Sequence, residues 1–345
     1  MRVFTTLPQE NLQKVGPAAQ AIEAAGYTGV STQENRHDPF LALAVAGAAT
    51  KRIELHTGVA ISFARSPMTV ANVGWDLAAS YGPKRVTIGL GSQVRAHNER
   101  RFSVPWTPPA PRMREYLQAV RAIWAAWKGD GKLAYEGKHY RFTLMTPNFV
   151  PEAYDGPAPR LGLAAVGPAM LKVAAEESDD VKLHVFCTRK YLADTIMPIL
   201  EAGLAKSGRA RHQFEISGGG FVVTGKDDEA VAKLFDWVRY RVAFYGSTPA
   251  YWPVFEAHGL GDLGRKLNAM TREGKWDQLA AQVSDDVVHL FAAVGRHDQI
   301  AKAIEARFGG LVDSISASAN SAKPSDMPPD LLQDLARIPT PYRHD

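Results

Sequence analysis

Glu34, His37 and His97 are the side chains in this sequence that are best placed for acid–base chemistry. Each follows a predicted strand and lies in a polar stretch, QENRH for the first two and SQVRAH for the third. A carboxylate or an imidazole can move a proton when its pKa is near neutral and it reaches the substrate. A lone histidine is more often structural, and among the histidines the sequence favours His97, which follows a strand within a polar insertion.

Small residues mark three places that suit a bound ligand. The stretches GVAIS at residues 58–62 and GS at residues 91–92 end two predicted strands. Val166-Gly167-Pro168 begins a helix, where free N–H groups and the helix dipole favour an anion such as phosphate. The same tripeptide is as typical of a plain helix cap as of an anion site, so both interpretations stay open at this point.

The common catalytic motifs are missing from the sequence. There is no P-loop, no HExxH and no GxSxG, which argues against kinases, metalloproteases and α/β-hydrolases. Gly89-Leu90-Gly91 does not make a dinucleotide-binding loop, because Val94 stands in place of the third glycine and a charged insertion follows.

The composition is that of a globular chain without an obvious charged partner. Of 345 residues 46% are apolar, and the net charge is +4. The densest basic group, Arg95 with Arg100 and Arg101, has no series of aromatic residues around it, so we predict no nucleic-acid binding. One cysteine, Cys187, excludes a disulfide framework and a thiolate metal site, and we predict no metal. No signal core or membrane-spanning run occurs, and we expect a soluble cytoplasmic protein.

Residues 51–94 read as strand, helix and strand with short connections, which predicts a parallel pair joined by a right-handed crossover. Ser66-Pro67 is a helix start, and Tyr81-Gly82-Pro83 ends that helix. The same alternation continues along the chain, with predicted strands at 3–7, 27–32, 53–63, 86–90, 160–165, 181–186, 214–224 and 311–316. Eight strands alternating with helices predict an α/β fold, a (β/α)8 TIM barrel.

Three insertions are predicted in this barrel, which we expect to form a single domain over residues 1–345. They lie after strand four, before strand five and after strand seven, at about 92–111, 129–159 and 246–291. Between the first two, residues 112–128 form an amphipathic helix whose apolar face includes two tryptophans. The third insertion is predicted to be mostly helical, and a helix over 297–307 follows it.

Several segments, in this order, resemble the luciferase-like family of flavin and deazaflavin oxidoreductases, the bacterial luciferase type. They are TGVAISFARSPMT, RVTIGLGSQ, RMREYLQAVRAIW, GKHYRF and LGLAAVGPAM, and together they cover most of the chain. The segment FYGSTPAY at residues 244–251 resembles a subgroup that depends on the deazaflavin coenzyme F420.

This resemblance implies a TIM barrel that holds the cofactor over the carboxyl ends of the strands. It also implies a non-prolyl cis peptide, here Gly58–Val59, that supports the redox ring, and a phosphate-binding turn at residues 166–170. The resemblance makes phosphate binding the preferred interpretation of that turn. The residues expected to contact the cofactor are Glu34, Gly58, Val59, Ala60, Gly91, Ser92, His97, Val166, Gly167, Ala169 and Met170.

The sequence also departs from one branch of this family. Asn35 and Val94 stand where the sugar-phosphate dehydrogenases carry a catalytic histidine and a glutamate, so that activity does not carry over. Glu34, His37 and His97 are the candidate catalytic residues for proton transfer. An aromatic substrate pocket is predicted from Phe63, Trp106, Tyr245, Tyr251 and Trp252.

Three functions are compatible with these features. The preferred one is an F420-dependent oxidoreductase that exchanges a hydride with a small organic substrate. The alternative is an FMN-dependent monooxygenase that uses oxygen and takes reduced flavin from a reductase partner. A cofactor-free barrel with a binding role is the third. The resemblance further suggests a homodimer formed through the early helices.

Overall fold

A computed structural model describes residues 1–318 and 325–343. Its centre is a ring of eight parallel strands: β1 (Arg2–Thr5), β2 (Gly29–Thr32), β3 (Glu54–Thr57), β4 (Val86–Gly91), β5 (Arg160–Ala165), β6 (Asp180–Leu183), β7 (Glu215–Gly218) and β8 (Ser314–Ser316). Neighbours in the ring pair in the order β3-β2-β1-β8-β7-β6-β5-β4. Pairing of β3 with β4, where Leu55 lies opposite Val86, closes the ring. The predicted TIM barrel is therefore confirmed.

Helices alternate with these strands and cover the outside of the ring. The main helices are Leu12–Ala25, Pro39–Ala49, Pro67–Tyr81, Pro109–Lys128, Pro168–Glu177, Met197–Lys206, Asp228–Gly246, Ile300–Phe308 and Pro329–Ala336. Further helices are Arg95–Arg101, Arg189–Tyr191, Trp252–Glu256, Gly261–Arg272 and Asp285–Phe291, and Leu192–Ile196 is a π-helical segment. No helix among the described residues is long and apolar enough to cross a membrane.

Local sequence explains where several of these helices begin. The Ser66 hydroxyl accepts the Met68 N–H at 3.2 Å, and Pro67 occupies the first helical position. The Asp38 carboxylate caps the preceding helix by accepting the Phe40 N–H at 2.8 Å. Each cap satisfies an N–H group that has no partner inside its own helix. The predicted helix start at Ser66-Pro67 is confirmed.

Two predicted strands are each broken into two pieces. The prediction of one strand over 53–63 is wrong, because a cis peptide at Gly58–Val59 separates β3 from a short strand, Ala60–Ile61, that also pairs with β4. The prediction of one strand over 214–224 is wrong as well. Gly218, Gly219 and Gly220 have φ angles of 87°, 90° and 157°, which turn the chain out of the barrel.

The chain that leaves the barrel at these glycines forms a separate pair of strands. Phe221–Gly225 lies parallel to Ala292–Arg296, with Val223 opposite Val294. The strand Ala292–Arg296 was missed, because residues 292–296 were placed between a helical insertion and the next helix. Its pairing partner lies about 70 residues away in the sequence, so no local pattern announces it.

The helix Pro109–Lys128 anchors one side of the barrel. Its predicted apolar face is buried, including Met113, Tyr116, Leu117, Val120, Trp124 and Trp127. The Trp124 indole N–H donates to the Ala71 carbonyl at 3.0 Å, which ties this helix to Pro67–Tyr81. The two tryptophans of the face are therefore core residues.

Charged side chains fill the amino-terminal end of the barrel, which sequence reasoning did not foresee. The buried Glu215 carboxylate lies 2.6 Å from Arg2 and 3.0 Å from Arg160. Burial alone would raise the pKa of Glu215, but the two guanidinium groups outweigh burial and lower it to about 2. Removing the carboxylate would take the ion-pair partner from Arg160 and would leave Arg2 paired with Glu54.

We therefore expect Glu215→Gln to destabilise the fold by roughly 3–5 kcal/mol at pH 7. A pKa below the ordinary value of 4.5 stabilises the protein above pH 4.5, and this contribution is lost as the pH falls toward about 2. The difference in unfolding free energy between wild type and variant, measured by urea titration, should shrink over that range.

Glu136→Gln is the matched control, because the Glu136 side chain is 62% exposed and lies 3.5 Å from Arg141. It should change stability by less than about 0.5 kcal/mol. Equal and pH-independent effects of the two substitutions would contradict a stabilising role for the buried cluster.

Candidate active site

A cavity of about 1020 Å³ opens at the carboxyl ends of the barrel strands. All eight strands contribute to its wall at or just after their ends, through Thr6, Glu34, Gly58, Gly91, Val166, His184, Gly220 and Ser318 among others. The volume lies at the upper end of the range of small-molecule and cofactor sites. In barrel enzymes this end carries the active site.

Many of the sequence-predicted site residues meet in this cavity. Those that line it are Glu34, Gly58, Val59, Gly91, Ser92, Val166, Gly167, Ala169, Met170, Tyr245 and Tyr251. Those that do not line it are His37, His97, Ala60, Phe63, Trp106 and Trp252.

The two candidate histidines point elsewhere for local reasons. His97 is exposed on the short helix Arg95–Arg101, whose inward position is taken by the buried Asn98. The Asn98 amide donates to the Ser92 carbonyl at 2.9 Å and so fixes that helix over the strand end. His37 is exposed in the turn before the next helix. The structure thus leaves Glu34 alone among the three candidate proton-transfer residues in the cavity wall.

The remaining predicted residues outside the wall are packing residues. Ala60 is fully buried, and Phe63 lies under the Arg112 guanidinium, 4.3 Å from its ring centroid. The Trp252 indole N–H donates to the Gly246 carbonyl at 3.0 Å. Trp106 is half-buried in the loop that follows Arg95–Arg101.

A ledge of small residues crosses one side of the cavity. The Gly58–Val59 peptide is cis, as the family resemblance implies. A Cβ atom on Gly58 would lie 2.1 Å from the Ser31 hydroxyl oxygen, and one on Gly91 would lie 2.7 Å from a Val59 methyl group. A side chain at either position would therefore force Ser31 or Val59 to move. The backbone of both glycines forms part of the cavity surface.

Glu34 is held rigidly at the edge of this ledge. Its carboxylate accepts the Ile61 N–H at 2.6 Å and a hydrogen bond from the Arg65 guanidinium at 2.6 Å. Arg65 also pairs with Asp38 at 2.8 Å. The Glu34 side chain is 8% exposed, so its geometry is fixed before any ligand arrives.

The turn at Gly167 forms the next part of the wall, because it follows β5, the neighbour of β4 in the ring. Gly167 is the N-cap of Pro168–Glu177, and no side chain caps this helix. A Cβ atom on Gly167 would meet nothing within 4 Å, so the space in front of this helix start is open. Uncapped N–H groups beside open space can bind an anion such as a phosphate.

An aromatic wall lies around His184. Sequence reasoning placed its tyrosines, Tyr245 and Tyr251, in the pocket but missed the histidine. The imidazole stacks on Tyr251 with ring centroids 4.6 Å apart and meets the edge of Tyr245 at 4.5 Å. Burial, with a further contribution from Arg241, lowers the pKa of His184 to about 4, which keeps it neutral at pH 7. The predicted strand over 181–186 was too long. β6 ends at Leu183, and a correct boundary would have made His184 the first residue after a strand.

Arg241 and two residues of the cavity floor were also missed. Arg241 lies on the helix Asp228–Gly246, lines the cavity and contacts the Tyr245 hydroxyl. On the floor, His56 bonds Glu54 at 2.9 Å, and the Lys182 ammonium lies 3.5 Å from Asp180. Burial lowers the pKa of His56 despite this carboxylate. No local pattern identifies a helix residue such as Arg241, because only the tertiary fold brings it to the cavity.

Two proteins are similar in sequence to this chain over most of its length. An uncharacterized protein of Mycobacterium tuberculosis is 45% identical over 315 residues, covering 91% of this chain and 92% of that protein. The 5,10-methylenetetrahydromethanopterin reductase of Archaeoglobus fulgidus is 28% identical over 302 residues, 85% of each chain.

Solved structures with the same fold include both deazaflavin and flavin enzymes. The coenzyme F420-dependent tetrahydromethanopterin reductase of Methanopyrus kandleri has a TM-score of 0.74 at 18% identity, covering 98% of this chain and 97% of that one. The oxygenating constituent of 3,6-diketocamphane monooxygenase from Pseudomonas putida, in complex with FMN, has a TM-score of 0.66 at 15% identity, covering 99% and 100%. At these identities the likeness concerns the fold.

The family model of the luciferase-like monooxygenases matches residues 2–314, nearly the whole chain. This match agrees with the barrel, the cis peptide and the open cavity at the strand ends. The chain therefore belongs to the luciferase-like monooxygenase family.

Proposed function

We propose that this protein is an oxidoreductase that uses coenzyme F420 to exchange a hydride with a small organic substrate. The observation that carries the proposal is a single cavity that joins the Gly58–Val59 ledge to the open turn at Gly167. A flat ring and a phosphate on one molecule would need those two features in one space. The 28% identical archaeal relative, a reductase acting on a tetrahydromethanopterin, supports reductive chemistry.

The residues present fit such a cofactor. Of the three ledge residues Gly58, Val59 and Gly91, only Val59 carries a side chain, which leaves the backbone at both glycines open to a planar ring. The N–H groups of Gly167 and Ala169 would hold the phosphate, because this helix start has no side-chain cap and is open. Pro168 has no N–H, and the Met170 N–H donates to the Gly167 carbonyl at 3.1 Å. Bound there, the deazaflavin supplies or accepts a hydride, and the protein orients it.

Glu34 has a positioning role in this proposal. Its carboxylate already accepts hydrogen bonds from Arg65 and Ile61 and retains further lone pairs. A carboxylate held in this way is suited to accept an N–H of the ring and to fix its orientation on the ledge. The aromatic wall of Tyr245 and Tyr251 would exclude water from the other side of the cavity.

An FMN-dependent monooxygenase is the second candidate. The same ledge and phosphate turn would serve reduced FMN, and the FMN-bound monooxygenase structure has the same fold. In that case a flavin reductase would supply the reduced cofactor, and oxygen would be the second substrate. The cytoplasmic location stays a prediction from the sequence.

We also propose that the protein is a homodimer joined through its early helices. The helix Pro39–Ala49 contains only apolar residues and glycine, and Leu41 on it is 56% exposed. An apolar helix face of this kind favours contact with another protein surface.

The cofactor proposal predicts saturable binding of F420 to the purified protein. Titration followed by the cofactor's absorbance and fluorescence should give a dissociation constant for F420 lower than that for FMN. Tight FMN binding without F420 binding would reject the F420 assignment. Oxygen uptake in the presence of a flavin reductase would then establish the second candidate.

The Gly167 turn offers a variant that separates binding from folding. Gly167→Val should leave thermal stability nearly unchanged, because φ is −85° and the new Cβ meets nothing within 4 Å. The added methyl groups would occupy the anion's space and weaken F420 binding about tenfold, roughly 1.4 kcal/mol.

The control ligand for this variant is the deazaflavin chromophore without its phosphate and tail. Its affinity should be the same for wild type and Gly167→Val. An equal loss for both ligands would place the phosphate elsewhere.

The dimer proposal predicts a change of mass in solution. Leu41→Glu places a charge in the apolar face and should convert a dimer to a monomer in analytical ultracentrifugation. Lys51→Glu, at an exposed position just after the same helix, serves as a control and should leave the dimer intact. A wild-type monomer would reject the proposal directly.

A further inference from the structure

Arg241 is a cation of the cavity wall that has no acidic partner among residues 1–318 and 325–343. The other arginine near it, Arg239, on the same helix, pairs with Asp285 at 2.6 Å and lies 3.5 Å from Asp236. By contrast, no carboxylate of the described residues forms an ion pair with Arg241, and its protein contacts are the Tyr245 hydroxyl and aromatic rings. A guanidinium in such surroundings is a candidate site for an anion brought by a ligand.

The geometry of the guanidinium leaves part of it free to bind. Nη2 donates to the Tyr245 hydroxyl, and Nε is enclosed without a hydrogen-bond partner among the described residues. Nη1 forms no hydrogen bond within that part of the chain, and it is not among the enclosed atoms. The ring of Tyr245 lies 4.5 Å from the guanidinium carbon and holds it in place against the wall.

His184 provides a second donor beside the same tyrosine. Its Nδ1 accepts the Phe186 N–H at 3.1 Å and therefore carries no proton. Since the ring is neutral at pH 7, the proton is on Nε2, where the imidazole is a hydrogen-bond donor. The described residues offer Nε2 no hydrogen-bond partner, and His184 lines the cavity.

The charge and surroundings of this pair indicate the kind of anion. One guanidinium and one neutral imidazole carry a single positive charge, which matches a carboxylate better than a phosphate dianion. The planar guanidinium and carboxylate groups also have complementary geometry. Trp237 and Tyr251 line the cavity beside the pair and suit an apolar or aromatic body attached to the carboxylate.

We propose that Arg241 and His184 form a carboxylate-binding subsite in the active-site cavity. It binds either the carboxylate of an organic-acid substrate or a carboxylate on the tail of F420. Because both ligands belong to the proposed reaction, the subsite rests on the proposed function. The subsite is separate from the Gly167 turn, since it is built from residues after β6 and on the helix Asp228–Gly246.

Calorimetric titration of the full chain with benzoate and with its neutral isostere benzamide tests the subsite. Arg241→Met should weaken benzoate binding by about 10–100-fold, because a charge-assisted hydrogen bond is lost, and Arg241→Lys should recover part of it. Benzamide affinity should not depend on Arg241. Arg239→Met is the control, since it removes the same charge from the same helix outside the cavity and should behave as wild type.

The affinity for F420 identifies the source of the carboxylate. If Arg241→Met weakens F420 but not the chromophore that lacks phosphate and tail, the subsite holds the cofactor's tail. If benzoate binding is lost while F420 affinity is unchanged, the subsite holds the substrate. The inference would be overturned if Arg241→Met changed neither the affinity for benzoate nor the affinity for F420. Failure of wild type to bind either F420 or FMN would instead reject the proposed function.

A measurement on the wild-type protein keeps the test independent of variant folding. In NMR spectra of histidine-labelled protein at pH 7, the His184 ring should be the Nε2–H tautomer. Its resonances should shift saturably as benzoate is added. The dissociation constant obtained from these shifts should equal the one found by calorimetry. If benzoate does not shift the His184 resonances, His184 is not part of the subsite.

Discussion

The pairing of β3 with β4 is the constraint on which the whole site depends. Leu55 opposite Val86 and His56 opposite Thr87 close the sheet into a ring, so that eight parallel strands end at one mouth. Because of this closure, residues as far apart as Glu34, Gly167 and Arg241 line one cavity. An open sheet would spread the same strand ends along an edge and would leave Glu34 and His184 far apart.

The two sides of the cavity differ in how their charges are compensated. On the ledge, the Glu34 carboxylate is fixed by Arg65, which is itself paired with Asp38. On the aromatic wall, Arg241 has a phenol and rings as neighbours and a neutral imidazole close by. A compensated charge orients a ligand at little cost, whereas an uncompensated one selects a ligand of opposite charge. This contrast is why we propose cofactor positioning on one side and ligand selection on the other.

Local sequence was sufficient for the barrel and for much of the ledge. Caps such as Ser66 and the alternation of strands and helices depend on residues within a few positions, so they can be read directly. The break at residues 218–220 and the strand at 292–296 depend on a pairing between distant segments. Among site residues, Glu34 was found because a strand end is a local feature. His184 was missed through a strand boundary placed three residues late, and Arg241 because helix surface residues give no sign of what they face.

We propose that a redox ring lies on the Gly58–Val59 ledge with its phosphate at the Gly167 turn. The most direct measurement is a crystal structure of the protein soaked with F420. We expect the ring against the cis peptide, within hydrogen-bonding distance of Glu34, and the phosphate against the N–H groups of Gly167 and Ala169. Density for the ring outside this cavity, or a phosphate bound away from the turn, would contradict it.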